Sequence, residues 1–494
     1  MKQLHFILML LLSGVILGQG KKNQVIITGK ISRKIPNKIE YTVPLESICY
    51  FGFEKTIKPD SLGNFKIILS INKPSFIELS NAYQAYGTII AEPGMNYNVS
   101  INTELKDKNF SIESKNAAAQ ALYNQIDNRS MIAGGGHFEM DSRKYIKDSI
   151  PSEIKKKIEN SREIELASFK ELLNKKLISK DFFNLVYTDR DYFYKGIQGS
   201  VAFVNYFKNE QKQNTLTKDQ YSQLWKDIFQ SNPVTNPELL HSPWFYYYVE
   251  NYLRYHEFII DSIDVATLTE LNKQGKIHTH KINYAKKHLS GQQLEYYTAA
   301  YIYYTAINKN YEKELLSLFA DFKKNYPSSN YTSFIEPLML PIVDFHKKEE
   351  QTKNEKIKFI DDATTINTLK EAVTKLNSKL IYVDVWATWC GPCKDEFKFN
   401  NALYEFLKTK NIPVVYLSID KNEKEKQWRD MIHYYNLEGY HIRANEKLIT
   451  DLQKIIGNDS FAIPWHILID GDGNIIKKNV SGPSNLEKLK QELN

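Results

Sequence analysis

Val383-Asp384-Val385-Trp386-Ala387-Thr388-Trp389-Cys390-Gly391-Pro392-Cys393-Lys394-Asp395-Glu396 is the stretch on which the reading of this 494-residue chain turns. It begins within an apolar run over 380–386, rich in Val, Ile, Tyr and Trp, that reads as a buried strand. It ends in a helix expected over 392–408, where Pro392 suits the first turn because its missing N–H would have had no partner there. Two thiols separated by two residues at such a turn can close a small disulfide ring, and position assigns their roles. Cys390 stands at the helix N-terminus, where unpaired amides and the positive end of the helix dipole favour a thiolate, so it is the attacking nucleophile. Cys393 lies within the first turn on the buried face and is the thiol that resolves a mixed disulfide. Metal is the competing chemistry for a Cys-x-x-Cys. Zinc asks for four ligands, and the sequence offers no second pair and no His at finger spacing, only His466 as a third candidate, so neither a metal site nor a cofactor is expected.

Around this stretch the pattern alternates as in an α/β sheet. Strands are expected at 380–386, 413–419, 465–469 and 474–479, with helices at 392–408, 423–435, 447–456 and 485–493, and Gly471-Asp472-Gly473 turns the last two strands into a hairpin. Asp470, Asp472 and Asn474 imitate the start of a calcium loop, but Ile475 stands where glycine is required and Ser481 where glutamate is. Thr388-Trp389-Cys390 likewise imitates a peroxidatic site without the proline expected just before it.

The front of the chain has two other textures. From 23 to about 103, short runs rich in Val, Ile, Phe and Tyr alternate with Gly, Pro and Asn joints, the pattern of a small antiparallel sandwich or barrel. From 116 to 345 the period is helical, as in Leu166, Phe169, Leu173 and in Trp244, Tyr248, Tyr252, Tyr255, stripes that read as core before they read as a ligand groove. Gly134-Gly135-Gly136 lacks the Lys-Ser/Thr of a phosphate cradle and reads as a flexible loop. The charged stretch 346–358 reads as a linker. The expected organisation is a signal peptide at 1–20, a β domain at 21–110, an all-α domain at 111–345, the linker, and an α/β domain at 359–494.

Residues 1–20 carry Lys2, an apolar run over 4–17 and small residues at Gly18 and Gly20, which reads as a cleaved secretory signal; the run is shorter than the ~20 residues of a spanning helix. No integral membrane segment is expected after cleavage. The net charge of +7 is scattered, as in Lys347-Lys348-Glu349-Glu350, which argues for a solvated mixed surface and against a nucleic-acid stripe. There are three cysteines in all; Cys49 reads as a buried apolar thiol of the β domain, which leaves the close pair for chemistry.

The stretch 383–396 closely resembles thioredoxin, and more closely the extracytoplasmic TlpA/ResA-like branch of that family; Ile463-Pro464, Ile467-Leu468-Ile469-Asp470 and Gly471-Asp472-Gly473 resemble its later loop, strand and hairpin. The resemblance covers about the last 135 residues. Pro59 to Phe65 and Ala91-Glu92-Pro93-Gly94 also resemble the β domain that precedes many secreted thioredoxin-like proteins of the Bacteroidetes. The family implies a thioredoxin fold and further roles. Pro464 matches the cis-proline facing the cysteine pair, which leaves the backbone of Ile463 free to pair with a substrate strand. Glu396 matches the acidic residue that exchanges protons with the buried thiol, with a pKa raised by an apolar site, and Asp384 matches the buried aspartate of thioredoxin, so the two can titrate as a coupled pair. Trp386 and Trp389 flank the motif, Trp389 beside the substrate's path. Gly391-Pro392 is the dipeptide of thioredoxin, whose potential of about −270 mV favours a reductant.

The resemblance implies an extracytoplasmic thiol-disulfide oxidoreductase, a reductase of protein disulfides in the periplasm or envelope of a Gram-negative bacterium, supplied with electrons by a membrane thiol carrier. Two alternatives stay open: an envelope binding or adaptor protein with an accessory redox domain, and a disulfide isomerase whose large front domains present misfolded substrates.

Overall fold

The computed structural model describes residues 22–45, 54–81, 84–105, 109–126, 136–210, 216–348, 354–360, 365–376, 378–458 and 461–493. The expected signal peptide and Cys49 lie outside them. The chain divides into two compact units between Ala300 and Tyr301, inside the helix Gly291–Ile307.

The first unit begins with β1 (Gln24–Ser32), β2 (Ile39–Thr42), β3 (Glu54–Ile57), β4 (Asn64–Ser70), β5 (Ser75–Asn81), β6 (Gln84–Ala91), β7 (Asn96–Asn102) and β8 (Phe110–Glu113). They form two four-stranded sheets, ordered β4-β1-β7-β8 and β3-β2-β5-β6. Both sheets feed one core: Val25 and Ile27 of β1 and Val99 of β7 meet Ile77 and Leu79 of β5 and Ile89 of β6, the alternate residues of each strand pointing inward. The sandwich expected from the alternation is present, but its pairing is not wholly antiparallel. β1 runs parallel to β7, because the strands between them carry the chain back to the same end. After the sandwich comes the helical region, from Ala117–Tyr123 through Pro151–Asn174, Lys180–Glu210 and Phe245–Tyr255 to Ile277–Ala285. The aromatic stripe is core: Trp244, Tyr248 and Tyr255 are buried, and Tyr248 packs edge-on to Tyr192.

The second unit carries the helices Glu314–Asn325 and Thr332–Lys348 and then a six-stranded sheet ordered β14-β13-β10-β11-β12-β9. Its strands are β9 (Ile357–Phe359), β10 (Leu380–Trp386), β11 (Val414–Ser418), β12 (Gly439–Arg443), β13 (Trp465–Asp470) and β14 (Ile475–Lys477). β10 is central, parallel to β11 and antiparallel to β13. β9 and β12 were not expected; both are short and carry polar residues, so apolar periodicity does not mark them. Ile381, Val383 and Val385 face a core shared with Leu369, Leu448 and Leu452. The intervening residues Tyr382, Asp384 and Trp386 point to the other face. There the register sets His466, Asp384, Tyr416 and His441 side by side across β13, β10, β11 and β12.

The expected helix over 392–408 is broken. It runs as Gly391–Glu396, tightens to a 3₁₀ turn at Phe397–Phe399 and resumes as Asn400–Thr409. The tight turn accompanies an edge-on contact of Phe397 with Trp386, centroids 5.3 Å apart, and a bond from Asn400 Nδ2 to the Tyr416 hydroxyl.

Candidate active site

Cys390 and Cys393 are joined in a disulfide with their Cα atoms 5.4 Å apart. Cys390 is the cap of the helix Gly391–Glu396: its Sγ accepts from the backbone N–H of Cys393 at 3.1 Å, so the sulfur occupies the place where an N-cap oxygen usually sits. The cysteines are 3% and 0% exposed respectively, so both are buried, Cys393 completely. Cys390 Sγ lies 3.6 Å from the carbonyl oxygen of Ile463, and the Ile463-Pro464 peptide is cis. Trp389 is 54% exposed just ahead of the pair, while Trp386 is fully buried beneath the loop. The expected positions therefore converge: the dithiol, the Ile463-Pro464 backbone and an open indole.

The two carboxyl groups have different surroundings. Glu396 does not sit in the apolar site expected of it; it is half-buried, and its carboxylate accepts from the Ser484 hydroxyl at 2.6 Å and the Ser484 backbone N–H at 2.8 Å. The carboxyl in an apolar site is that of Asp384, 1% exposed, which burial and the nearby Glu396 charge push up to about 8. His466, 5% exposed and lowered to about 4 by burial, stands opposite it.

Two further residues position the motif. Asp420, just past β11, accepts from the backbone N–H of Thr388 at 2.8 Å, from its hydroxyl at 2.7 Å and from the Ser418 hydroxyl at 2.7 Å, tying down the loop that carries Cys390. A lone Asp after an apolar run was its only mark in the sequence. Lys394, next to Cys393, is 1% exposed, and its Nζ donates to the carbonyls of Asn308 and Lys309 at 3.1 and 2.9 Å. Burial lowers it to about 7, against the pull of Glu312. Nothing local announces this, since its partners lie more than eighty residues upstream.

Residues 377–475 match a family model described as thioredoxin-like. The thiol-disulfide oxidoreductase ResA of Bacillus cereus is 28% identical over 148 residues, covering 30% of this chain and 77% of that protein. ResA of Oceanobacillus iheyensis is 30% identical over 122 residues, 25% of this chain and 59% of that protein. Among solved structures, the thioredoxin domain of a thiol-disulfide oxidoreductase from Bacteroides vulgatus is similar at 20% identity, with 25% of this chain and 84% of that chain covered and a TM-score of 0.22. None of these matches covers more than 30% of the chain. Taken with the bonded cysteine pair, they make this a TlpA/ResA-like thioredoxin family protein with thiol-disulfide oxidoreductase activity.

Proposed function

We propose that the protein is a reductase of protein disulfides outside the cytoplasm, in the periplasm or envelope of a Gram-negative bacterium. Cys390 attacks the partner's disulfide, Cys393 resolves the mixed disulfide, Asp384 and Glu396 move the proton, and the backbone of Ile463 beside Pro464 holds the partner's strand with Trp389 against it. The bonded pair at the helix start, with Cys390 slightly exposed and Cys393 fully buried, carries this reading. The leader-like segment at 1–20 supports the compartment, and no described helix is long and apolar enough to cross a membrane. An oxidising compartment would leave the pair oxidised, so a membrane thiol donor returns the electrons. In this reading the sandwich at 21–110 and the helices at 111–345 select the substrate, and 359–494 is the redox domain.

Exposing a Cys393→Ser variant to an extract of the periplasm should leave partner proteins bound through Cys390, releasable by dithiothreitol. An empty trap, together with failure of the unaltered protein to reduce a model disulfide, would sink the reading. A measured potential close to that of DsbA, about −120 mV, would reverse the direction.

A further inference from the structure

Asp384 neighbours His466, and His466 and Glu396 both border Gly482. β10 and β13 pair so that Asp384 and His466 are direct cross-strand neighbours on one face, with His466 Nε2 3.6 Å from Asp384 Oδ1. Both carboxyl oxygens of Asp384 and that nitrogen are buried without a hydrogen-bond partner among the described residues. An orphaned buried polar atom is destabilising, and here two of them, Asp384 Oδ1 and His466 Nε2, face each other. Beside the imidazole stands Gly482. A Cβ added there would lie 2.7 Å from His466 Cε1, 3.2 Å from His466 Nδ1 and 2.9 Å from Glu396 Oε2, so imidazole and carboxylate border the same point. Gly482 has φ −77° and ψ 175°, a conformation open to any residue, so space and not backbone calls for glycine. Glu396 is in turn bonded to Ser484, which is exposed.

We propose that His466 is the positioning residue that carries a proton between Asp384 and Glu396 while Cys393 resolves the mixed disulfide. The inference rests on the exchange reading above. Asp384 gives its proton to Nε2 of His466, and Nδ1 releases one toward Glu396, directly or through a water. The Asp384 carboxylate then takes the proton of the Cys393 thiol. The Cys393 thiolate attacks Sγ of Cys390, the Cys390–Cys393 bond forms, and the bond from Cys390 to the partner's sulfur breaks. The partner leaves as a thiolate that is protonated by water, and two electrons have passed from the dithiol to it. The relay is needed because an Asp384 lifted to about 8 holds, near neutral pH, the very proton it must lose before it can act as a base.

The other titratable groups facing this pair come from every neighbouring element. Tyr382 of β10 stacks on His466 with centroids 5.6 Å apart, Tyr416 comes from β11 and Tyr404 from the helix Asn400–Thr409; burial holds all three phenols protonated. Glu492 of the C-terminal helix Leu486–Glu492 faces Tyr382 and is engaged by the Ser481 backbone N–H.

The test uses the reduced full-length protein and an aromatic disulfide that releases one coloured thiolate on attack and a second on resolution. In the unaltered protein the second phase should accelerate with pH around a midpoint near 8. His466→Gln, which keeps a polar side chain but carries no proton, and Gly482→Ala, which fills the gap, should each lower the ratio of second to first phase on the order of tenfold at neutral pH. A ratio and pH profile unchanged in both variants would overturn the relay. Release of no coloured thiolate by the unaltered protein overturns the exchange reading itself, and so the two failures are told apart. If neither variant folds, the imidazole of His466 is titrated by NMR in the unaltered protein and in Asp384→Asn: a displaced midpoint supports the coupling, and coincident curves overturn it.

Discussion

A carboxyl group inside a sheet, with neither oxygen hydrogen-bonded, is tolerable mainly because it keeps its proton. For Asp384 the folded-state pKa of about 8 lies above the ordinary value of 3.8, so between those limits the folded protein binds a proton that the unfolded chain has released, and stability falls as pH rises. His466 has the opposite sign: lowered to about 4 from 6.5, it makes stability rise with pH, but only up to 6.5. From 6.5 to 8 the Asp384 contribution stands alone within the pair. Asp384→Asn in the oxidised protein should therefore be more stable than the unaltered chain at pH 8, and the advantage should shrink by about 1 kcal/mol per pH unit toward 6.5, as read from urea unfolding. A constant difference across that range would place the raised pKa elsewhere. The sequence identified Asp384 and Glu396 as the acidic pair. Which of them is buried depended on Ser484 reaching Glu396 from 88 residues away, a contact that no local pattern encodes.

At the scale of elements, side chains substitute for missing backbone partners in three places. β6 is an edge strand, and its outer backbone is satisfied by two amides, one in the helix Ala117–Tyr123 and one at its C-cap: Gln120 accepts from Ile90 N–H at 3.0 Å and donates to Ile90 O at 2.8 Å, and Asn124 does the same for Thr88 at 2.9 and 2.8 Å. This seals an edge that would otherwise pair with another chain. Gln120→Leu should lower the stability of the first unit by about 1–3 kcal/mol in urea unfolding. The turns Asp60-Ser61-Leu62-Gly63-Asn64 and Asp470-Gly471-Asp472-Gly473-Asn474 share one device, the Asp carboxylate accepting from the backbone N–H two and four residues on and from the Asn amide. The calcium-like spacing at 470–474 thus serves a hairpin. The third case is the loop before Cys390, held by Asp420. Asp420→Ala strands the Thr388 donors in a buried site and should cost about 3 kcal/mol, with Cys390 of the reduced protein alkylated at an altered rate; an unchanged melting temperature would contradict the anchoring.

Across the whole second unit, the thioredoxin-like sheet is not bounded by the stretch 346–358. Tyr311 shares its hydroxyl with that of Tyr435 at 2.6 Å, Phe345 packs on Tyr311 and on Tyr434 with centroids 5.1 Å apart in each case, and Lys394 is locked onto 308–309. Phe345, 6% exposed, should therefore be felt by the redox domain: Phe345→Ala is expected to lower its stability by about 3 kcal/mol, monitored by the unfolding transition of the oxidised protein. No effect on that transition would mean that the helices before 346 fold apart from the sheet. By itself the sequence determined the alternation of strands and helices around Cys390 and the two textures of the front half, because periodicity, turn residues and a compact motif are local properties of a chain; the cis-proline position came from the family resemblance. Only the tertiary structure decided that β1 lies parallel to β7, that β9 and β12 complete the sheet, that Lys394 is buried, and that His466 neighbours Asp384 and borders Gly482 together with Glu396. Each of these is a meeting of residues far apart along the chain, fixed by sheet register and packing.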